Sequence, residues 1–212
     1  SYPITSSISG GPDATYFSLS GEKLVFEGTS NYEVPSDANK DNVFEVYVTY
    51  ASRDVTATQT ISIRVTDVAE APVITTLAIS DVMENSIAIA TIEAADEDRN
   101  TSLTYSLVDS AGAQDENLLI IDSASGAIAF LVASNFEAPL DLNSDNTINF
   151  SVLVSDGALS AQADYSFAVI NENESPVIST TSIADQAEGV TSVMTIAASD
   201  PDAGTTLVYS LV

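Results

Sequence analysis

The chain restates itself at a fixed offset of 104 residues, and no other feature constrains its fold as strongly. Pro72 returns as Pro176, Glu33 as Glu137, Asp41 as Asp145, Glu84 as Glu188, Asp96 as Asp200 and Tyr105 as Tyr209. An ungapped repeat of domain length means tandem copies of one module rather than one enzyme with a single unique site. Functional residues are therefore expected where one copy meets the next.

Residues 1–72 correspond to 105–176, and residues 177–212 to 73–108. The chain is thus expected to comprise a partial repeat lacking its first strands (1–72), a complete repeat (73–176) and the opening strands of a third (177–212). An incomplete sandwich exposes core side chains and unpaired strand edges. Two readings stay open here. The segment is a cut from a longer array, or the C-terminal strands of one chain complete the N-terminal part of an identical chain and build a filament. Ser1 to Gly11 lack the basic and apolar regions of a signal peptide, as expected of an internal segment.

Strand signals dominate. Phe44, Val46, Val48 and Tyr50 alternate with other residues, as do Ile148, Phe150, Val152 and Val154 one repeat later, and each set is expected to face a core. Further strands are predicted over 73–79, 86–94, 103–108, 117–122, 127–131 and 161–170. Short strands at this spacing, without an amphipathic helix, predict antiparallel β-sandwiches. The segments 67–72 and 171–176 read as linkers, short and closed by Pro72 and Pro176, which should hold successive sandwiches close together, end to end.

With 5 Lys and Arg against 31 Asp and Glu, the formal net charge is −26. Such a chain repels nucleic acid and anionic lipid, so neither nucleic-acid binding nor direct membrane insertion is expected, and divalent metal is the expected counterion. No apolar run approaches the roughly 18 residues of a membrane span. The absence of His removes the commonest general base and zinc ligand, and the absence of Cys removes disulfides. A cysteine-free acidic β-protein fits a large bacterial secreted or surface protein better than an animal ectodomain.

Three acidic motifs recur where loops or linkers are expected. Asp96-x-Asp98 returns as Asp200-x-Asp202, the loop from Asn31 through Glu33, Asp37, Asn39 and Asp41 returns from Asn135 through Glu137, Asp141, Asn143 and Asp145, and the linker itself is acidic. Calcium takes about six to eight oxygen ligands at flexible geometry, which such loops supply. The pattern is not an EF-hand: counted from Asp141, position six is Asn146 rather than Gly and position twelve is Val152 rather than Glu. Asn and Asp as plain turn formers are the alternative for any one loop.

Five motifs in order then resemble the cadherin repeat, in the form found in large bacterial surface adhesins. Met83-Glu84-Asn85 is similar to that family's Pro-Glu-Asn, Asp96-Glu97-Asp98 to its Asp-x-Asp, and Asn135-Phe136-Glu137 to its Leu-Asp-Arg-Glu. Ser155-Asp156-Gly157 is similar to its Asp-x-Ala, and the segment ending at Pro176 to its Asp-x-Asn-Asp-Asn-x-Pro linker. The resemblance implies a seven-stranded Greek-key sandwich, immunoglobulin-like in topology, with Ca2+ bound between consecutive repeats. Carried over position by position, Glu33, Asp67, Glu70, Asp96, Asp98 and Asp156 would serve the first junction. Glu84, Glu137, Asn171, Asn173, Glu174, Asp200 and Asp202 would serve the second. Asn31 and Asn135 stand where the family has Asp, Ala69 replaces a linker Asn, and Asn171 stands where Asp67 sits one repeat earlier, so fewer ions than at a full animal junction are expected. Asp37, Asp41, Asp141 and Asp145 are candidates to compensate.

The implied function is structural: a calcium-binding segment of an extracellular adhesin or surface filament. Its partners would be neighbouring repeats, identical chains through strand exchange, or another cell surface. A sugar-binding sandwich is the alternative, with Tyr2, Tyr16 and Tyr47 as platform candidates, although the chain has no Trp. A hydrolase using Asp96 and Asp98 is disfavoured, because paired carboxylates need one member in an apolar pocket and these sit among Asp, Glu, Asn and Arg. Asn100, Asn149 and Asn173 open glycosylation-type triplets, a pattern that arises often by chance.

Overall fold

A computed structural model describes residues 4–99, 101–109, 114–180, 185 and 187–211, so Tyr2 and Asn100 lie outside the described residues. It parts into two compact units, Ser1–Glu70 with Glu97–Thr101, and Ala71–Asp96 with Ser102–Val212. Among the described residues the regular structure is strand, apart from two 3-10 turns at Ala14–Tyr16 and Glu116–Leu118.

In the first unit β1 (Thr5–Gly10), β4 (Val43–Ser52) and β5 (Val55–Arg64) form one antiparallel sheet with β4 central, and β2 (Phe17–Ser20) pairs β3 (Lys23–Phe26). Alternation along β4 buries Phe44, Val46 and Val48 at 0 to 2% exposure. Tyr16, Phe17, Phe26 and Phe44 form an edge-to-face aromatic cluster beneath them. Tyr50, expected on that buried face, is 45% exposed. Its counterpart Val154 belongs to a cluster that includes Ile79, Val82 and Ile92 from opening strands. Among its described residues the first unit has no counterparts of those strands.

The second unit has them. Its strands are β6 (Val73–Ile74), β7 (Val82–Met83), β8 (Ala88–Thr91), β9 (Ala94–Ala95), β10 (Thr104–Val108), β11 (Leu119–Ile121), β12 (Ala127–Phe130), β13 (Thr147–Ser155) and β14 (Ser160–Ile170), followed by the pair β15 (Val177–Ile178) and β16 (Ala198–Ser199). One sheet runs β10-β13-β14-β7; the other runs β11-β12-β8, with β9 carrying on to β6. Of the strand predicted over 73–79 only Val73–Ile74 forms, its continuation β7 lying beyond that range, and the strand predicted over 86–94 is broken into β8 and β9. The first leaves the β9 side after Ile74 and rejoins the molecule at β7, parallel to β14. Counting each broken strand once makes a seven-stranded Greek-key sandwich of the immunoglobulin kind. Ile148, Phe150, Val152 and Val154 are buried between the sheets at 0 to 3% exposure, with Ile92, Ile128 and Phe167 among those packed around them.

The repeat is not ungapped throughout. Thr5 faces Ala51 as Thr104 faces Ser155, so β1 and β10 are offset by 99 while β4 and β13 keep 104. Asp13 and Asp115 play one role at an offset of 102: Asp13 accepts the N–H groups of Ala38 and Glu45, and Asp115 those of Leu142 and Asn149. The extra residues fall in the connections after β10 and β11, where insertion disturbs no pairing. Gly126 closes the second of these connections at φ +72°, with a Cβ position 2.4 Å from the Ile92 carbonyl oxygen, so a side chain is excluded there.

Residues 177–211 carry the same apolar pattern without the rest of a sandwich. Ile196 is 45% and Tyr209 57% exposed, whereas their counterparts Ile92 and Tyr105 are 0% and 9% exposed.

Candidate metal centres

Each long loop before a central strand is built the same way. Asn31 Oδ1 accepts the Val34 N–H and Asn135 Oδ1 the Ala138 N–H, both at 2.7 Å, so the side chain that replaces the resemblance's Asp caps the turn holding Glu33 or Glu137. Further along, Asp37 accepts the N–H groups of Asp41 and Asn42, and Asp141 Oδ2 that of Asp145. Asp41 and Asp145 accept from Val43 and Thr147, and from the amides of Asn39 and Asn143. Asn42 and Asn146 complete the loop at φ +65° and +61°. The Asp-x-Asn-x-Asp pattern is thus a self-capped turn. These four aspartates, expected to compensate as extra ligands, spend their oxygens on amide donors, and they fall in neither carboxylate group.

Two such groups do form. In the first unit one oxygen each of Glu33, Asp67, Glu70 and Asp98 lie within 4.8 Å of one another; in the second unit Glu84, Glu137 and Glu174 do the same. A shared bond marks the correspondence between them. The Glu70 N–H donates to Asp98 at 3.2 Å, and the Glu174 N–H to Asp202 at 2.9 Å.

Glu84, 1% exposed, anchors the second group. Its Oε1 accepts the Glu172 N–H and its Oε2 the Phe136 N–H, each at 2.8 Å, so it also ties the linker and the Glu137 loop to one point. Asn171 donates to Glu137 at 2.7 Å and to Asp202 at 3.0 Å, placing both beside the group. A half-turn of its amide would present Oδ1 instead. Asn173 points to the Glu174 carbonyl, and Asp200 accepts the Asp202 N–H. Asp156 Oδ1 accepts the Ala158 and Leu159 N–H groups in the β13–β14 turn, and it belongs to neither group. Asp96 is half-buried and stands in the second unit.

Electrostatics opposes both groups as they stand. Burial, followed by the charges of Asp98, Glu33, Glu97 and Asp67, pushes the Glu70 carboxyl up. Burial likewise raises Glu174, against a lowering hydrogen bond from Asn85 and with the help of Glu84, Glu137 and Asp202. One oxygen in each of Glu70, Glu137 and Glu174 is buried without a hydrogen-bond partner. Buried carboxylate oxygens with neither donor nor water are costly unless a cation meets them. An all-oxygen donor set in a chain without His or Cys fits a hard divalent ion. Sequence reasoning missed Glu97, the middle residue of Asp96-x-Asp98, whose carboxylate receives Asn31 Nδ2 at 3.3 Å. It also missed Arg99, which donates to the Glu33 carbonyl at 2.8 Å. Neither position carries a motif letter.

No protein-family profile and no curated protein matches the chain. Solved structures do. Human protocadherin-24 EC1-2 aligns at TM-score 0.58 with 17% identity, over 81% of this chain and 83% of that one. Mouse protocadherin-24 EC1-3 aligns at 0.58 with 20% identity, over 95% and 67%. The protocadherin GammaB4 extracellular domain aligns at 0.54 with 20% identity over 95% of this chain, which spans 34% of that structure. At these identities the likeness is one of fold: the chain has the fold of cadherin extracellular repeats.

Proposed function

We propose that this chain is a calcium-binding segment of an extracellular adhesive array, built from cadherin-like repeats divided at 72 and 176. The observation that carries this reading is the recurrence, one repeat apart, of a carboxylate group with partnerless buried oxygens. Glu33, Asp67, Glu70 and Asp98 would hold calcium at the first position, and Glu84, Glu137 and Glu174, with Asn171 and Asp202 beside them, at the second. Bound calcium supplies the positive charge that offsets the repulsion among these acids and fixes the linkers that carry Glu70 and Glu174. Glu84 holds its part of the site through backbone amides whether or not an ion is bound. The fold likeness, and among the described residues the lack of an acid–base pair set in an apolar pocket, support a structural role over catalysis. The lack of Cys supports a bacterial surface protein, and the net charge of −26 argues against nucleic acid as a partner.

The test is thermal unfolding in millimolar calcium against chelator. At a hundredfold excess over Kd one site adds about 2.7 kcal/mol, so a clear rise in Tm is expected; indifference to calcium would sink the reading.

A second reading, strand exchange into a filament, is favoured by one observation. A groove in the first unit is lined by Phe26, Ser30, Phe44, Ile63 and Val65. Val65 is the counterpart of Val169, the residue that β7 pairs in the second unit. A strand of the β7 kind, from a preceding segment or another copy, would seat there. Native mass measurement decides: discrete oligomers support exchange and a monomer rejects it. The sugar-binding alternative loses Tyr16, whose ring stacks on Phe26 within the aromatic cluster.

A further inference from the structure

One of the differences between the two units, beside the 3-10 turns, describes a ligand. Tyr16 and Leu118 are structural counterparts. Each closes its 3-10 turn by donating its N–H to the preceding aspartate's carbonyl, Tyr16 to Asp13 and Leu118 to Asp115. The carbonyl of each also accepts an N–H that extends the adjoining strand pair by one position, from Glu27 at 2.8 Å and from Leu131 at 2.9 Å. In the first unit the Tyr16 ring stacks on Phe26 with centroids 6.1 Å apart and meets Phe44 edge-on at 5.2 Å. Its hydroxyl donates to the Ser36 carbonyl at 2.9 Å.

In the second unit Leu118 stands in place of the tyrosine and Ile148 in place of Phe44. The result is a cavity of about 190 Å³ whose lining includes Leu118, Phe130, Leu140, Ile148 and Val169. A cavity of roughly 150 Å³ with such walls accepts a benzene ring. Leu140 is the counterpart of Ser36, whose carbonyl receives the tyrosine hydroxyl. Ser134 also lines the space; it is 8% exposed, and its Oγ has no hydrogen-bond partner. Asn135, Asp141 and Asn146 border the space as well, and a mainly apolar pocket with a buried orphan hydroxyl is incomplete by the ordinary rules of polar burial.

We infer that this cavity is a binding site for a small phenol. The ring takes the place that Tyr16 fills in the sister unit, its hydroxyl donates to the Leu140 carbonyl, and its oxygen satisfies Ser134. The position para to the hydroxyl faces Leu118, where Tyr16 carries its own chain, so the site takes phenols without a long para substituent and not tyrosine side chains of a partner. The site is independent of the carboxylate groups and does not rest on the proposed calcium role.

The test is methyl NMR of the full chain titrated with phenol, anisole and N-acetyltyrosinamide. Phenol should shift the Leu118, Leu140 and Ile148 methyls saturably with Kd on the order of 1 mM, a strength usual for a ligand of so few atoms. Anisole, which has no proton to donate, should bind at least about tenfold more weakly, since that is the usual discrimination for a lost buried hydrogen bond. Leu118→Tyr and Ile148→Phe should each abolish the phenol shifts, the first with a rise in Tm. Should a variant fail to fold, the ligand ranking on the unaltered protein decides. Absence of saturable shifts, equal binding of anisole, or equal binding of N-acetyltyrosinamide would each overturn the assignment.

Discussion

Two residues of the same type, Glu84 and Glu137, do different jobs in the second carboxylate group. Glu84 holds two main-chain N–H groups from a buried position, so Glu84→Ala leaves both donors stranded. A loss of about 2 to 4 kcal/mol is expected even in chelator, readable by denaturant unfolding. Glu137 has an oxygen without a partner and its charge helps raise Glu174, so Glu137→Gln should keep or slightly raise stability in chelator while weakening the response to calcium. Acid titration separates two opposite contributions. Glu70 and Glu174 have raised carboxyls in the folded state, so they penalise folding at neutral pH, and the penalty is lifted as pH falls through their folded pKa toward the ordinary glutamate value. Asp122 is held low, first by the Ser125 hydroxyl and then by the Ser125 and Ala124 N–H groups, so its contribution is present above the ordinary aspartate pKa and vanishes as pH falls below it. In chelator, Tm should therefore rise on mild acidification and fall at lower pH; in calcium the rise should disappear. A monotonic fall in chelator would contradict the crowding described for Glu70 and Glu174.

At the scale of elements, period-two alternation was enough to locate β4 and β13 and to name their inward faces. It could not say whether an opposing sheet exists, which is why Tyr50 looked equivalent to Val154 and is not. Phe150→Ala is expected to cost about 3 to 5 kcal/mol, as large-to-small changes in a closed core do. Tyr50→Ala should cost under about 1 kcal/mol, since the ring is 45% exposed; equal costs in urea unfolding would mean that the open face of β4 is covered. The acidic loops were legible only in part. Glu33 and Glu70 lie in one carboxylate group and Glu84, Glu137 and Glu174 in the other, residues that the cadherin resemblance named and spacing alone did not, whereas Asp37, Asp41, Asp141 and Asp145 cap their own turns. The same letters serve both purposes, and Glu84 and Asp98 accept main-chain N–H groups too, so only the three-dimensional gathering of the carboxylates separates them. The slip of β1 against β10 was hidden because loops absorb insertions silently while the matched motifs lie beyond them.

For the molecule as a whole, the two units bury very different cores. The second closes a cluster running from Ile79 to Val169, and the first buries Phe17, Phe44 and Val46 as its cluster. Hydrogen exchange should thus protect the amides of β13 and β14 well beyond those of β4 and β5, and uniform protection would contradict the contrast. The strand that changes sheets also has a mechanical meaning. Val82 and Met83 run parallel to Val169 and Ile170, and the Glu84 N–H adds a bond to the Ile170 carbonyl. These are the first and last strands of one sheet, lying side by side and pointing the same way. Tension applied to the two ends of this sandwich slides them past each other, so their bonds resist together in shear instead of opening one after another like a zipper.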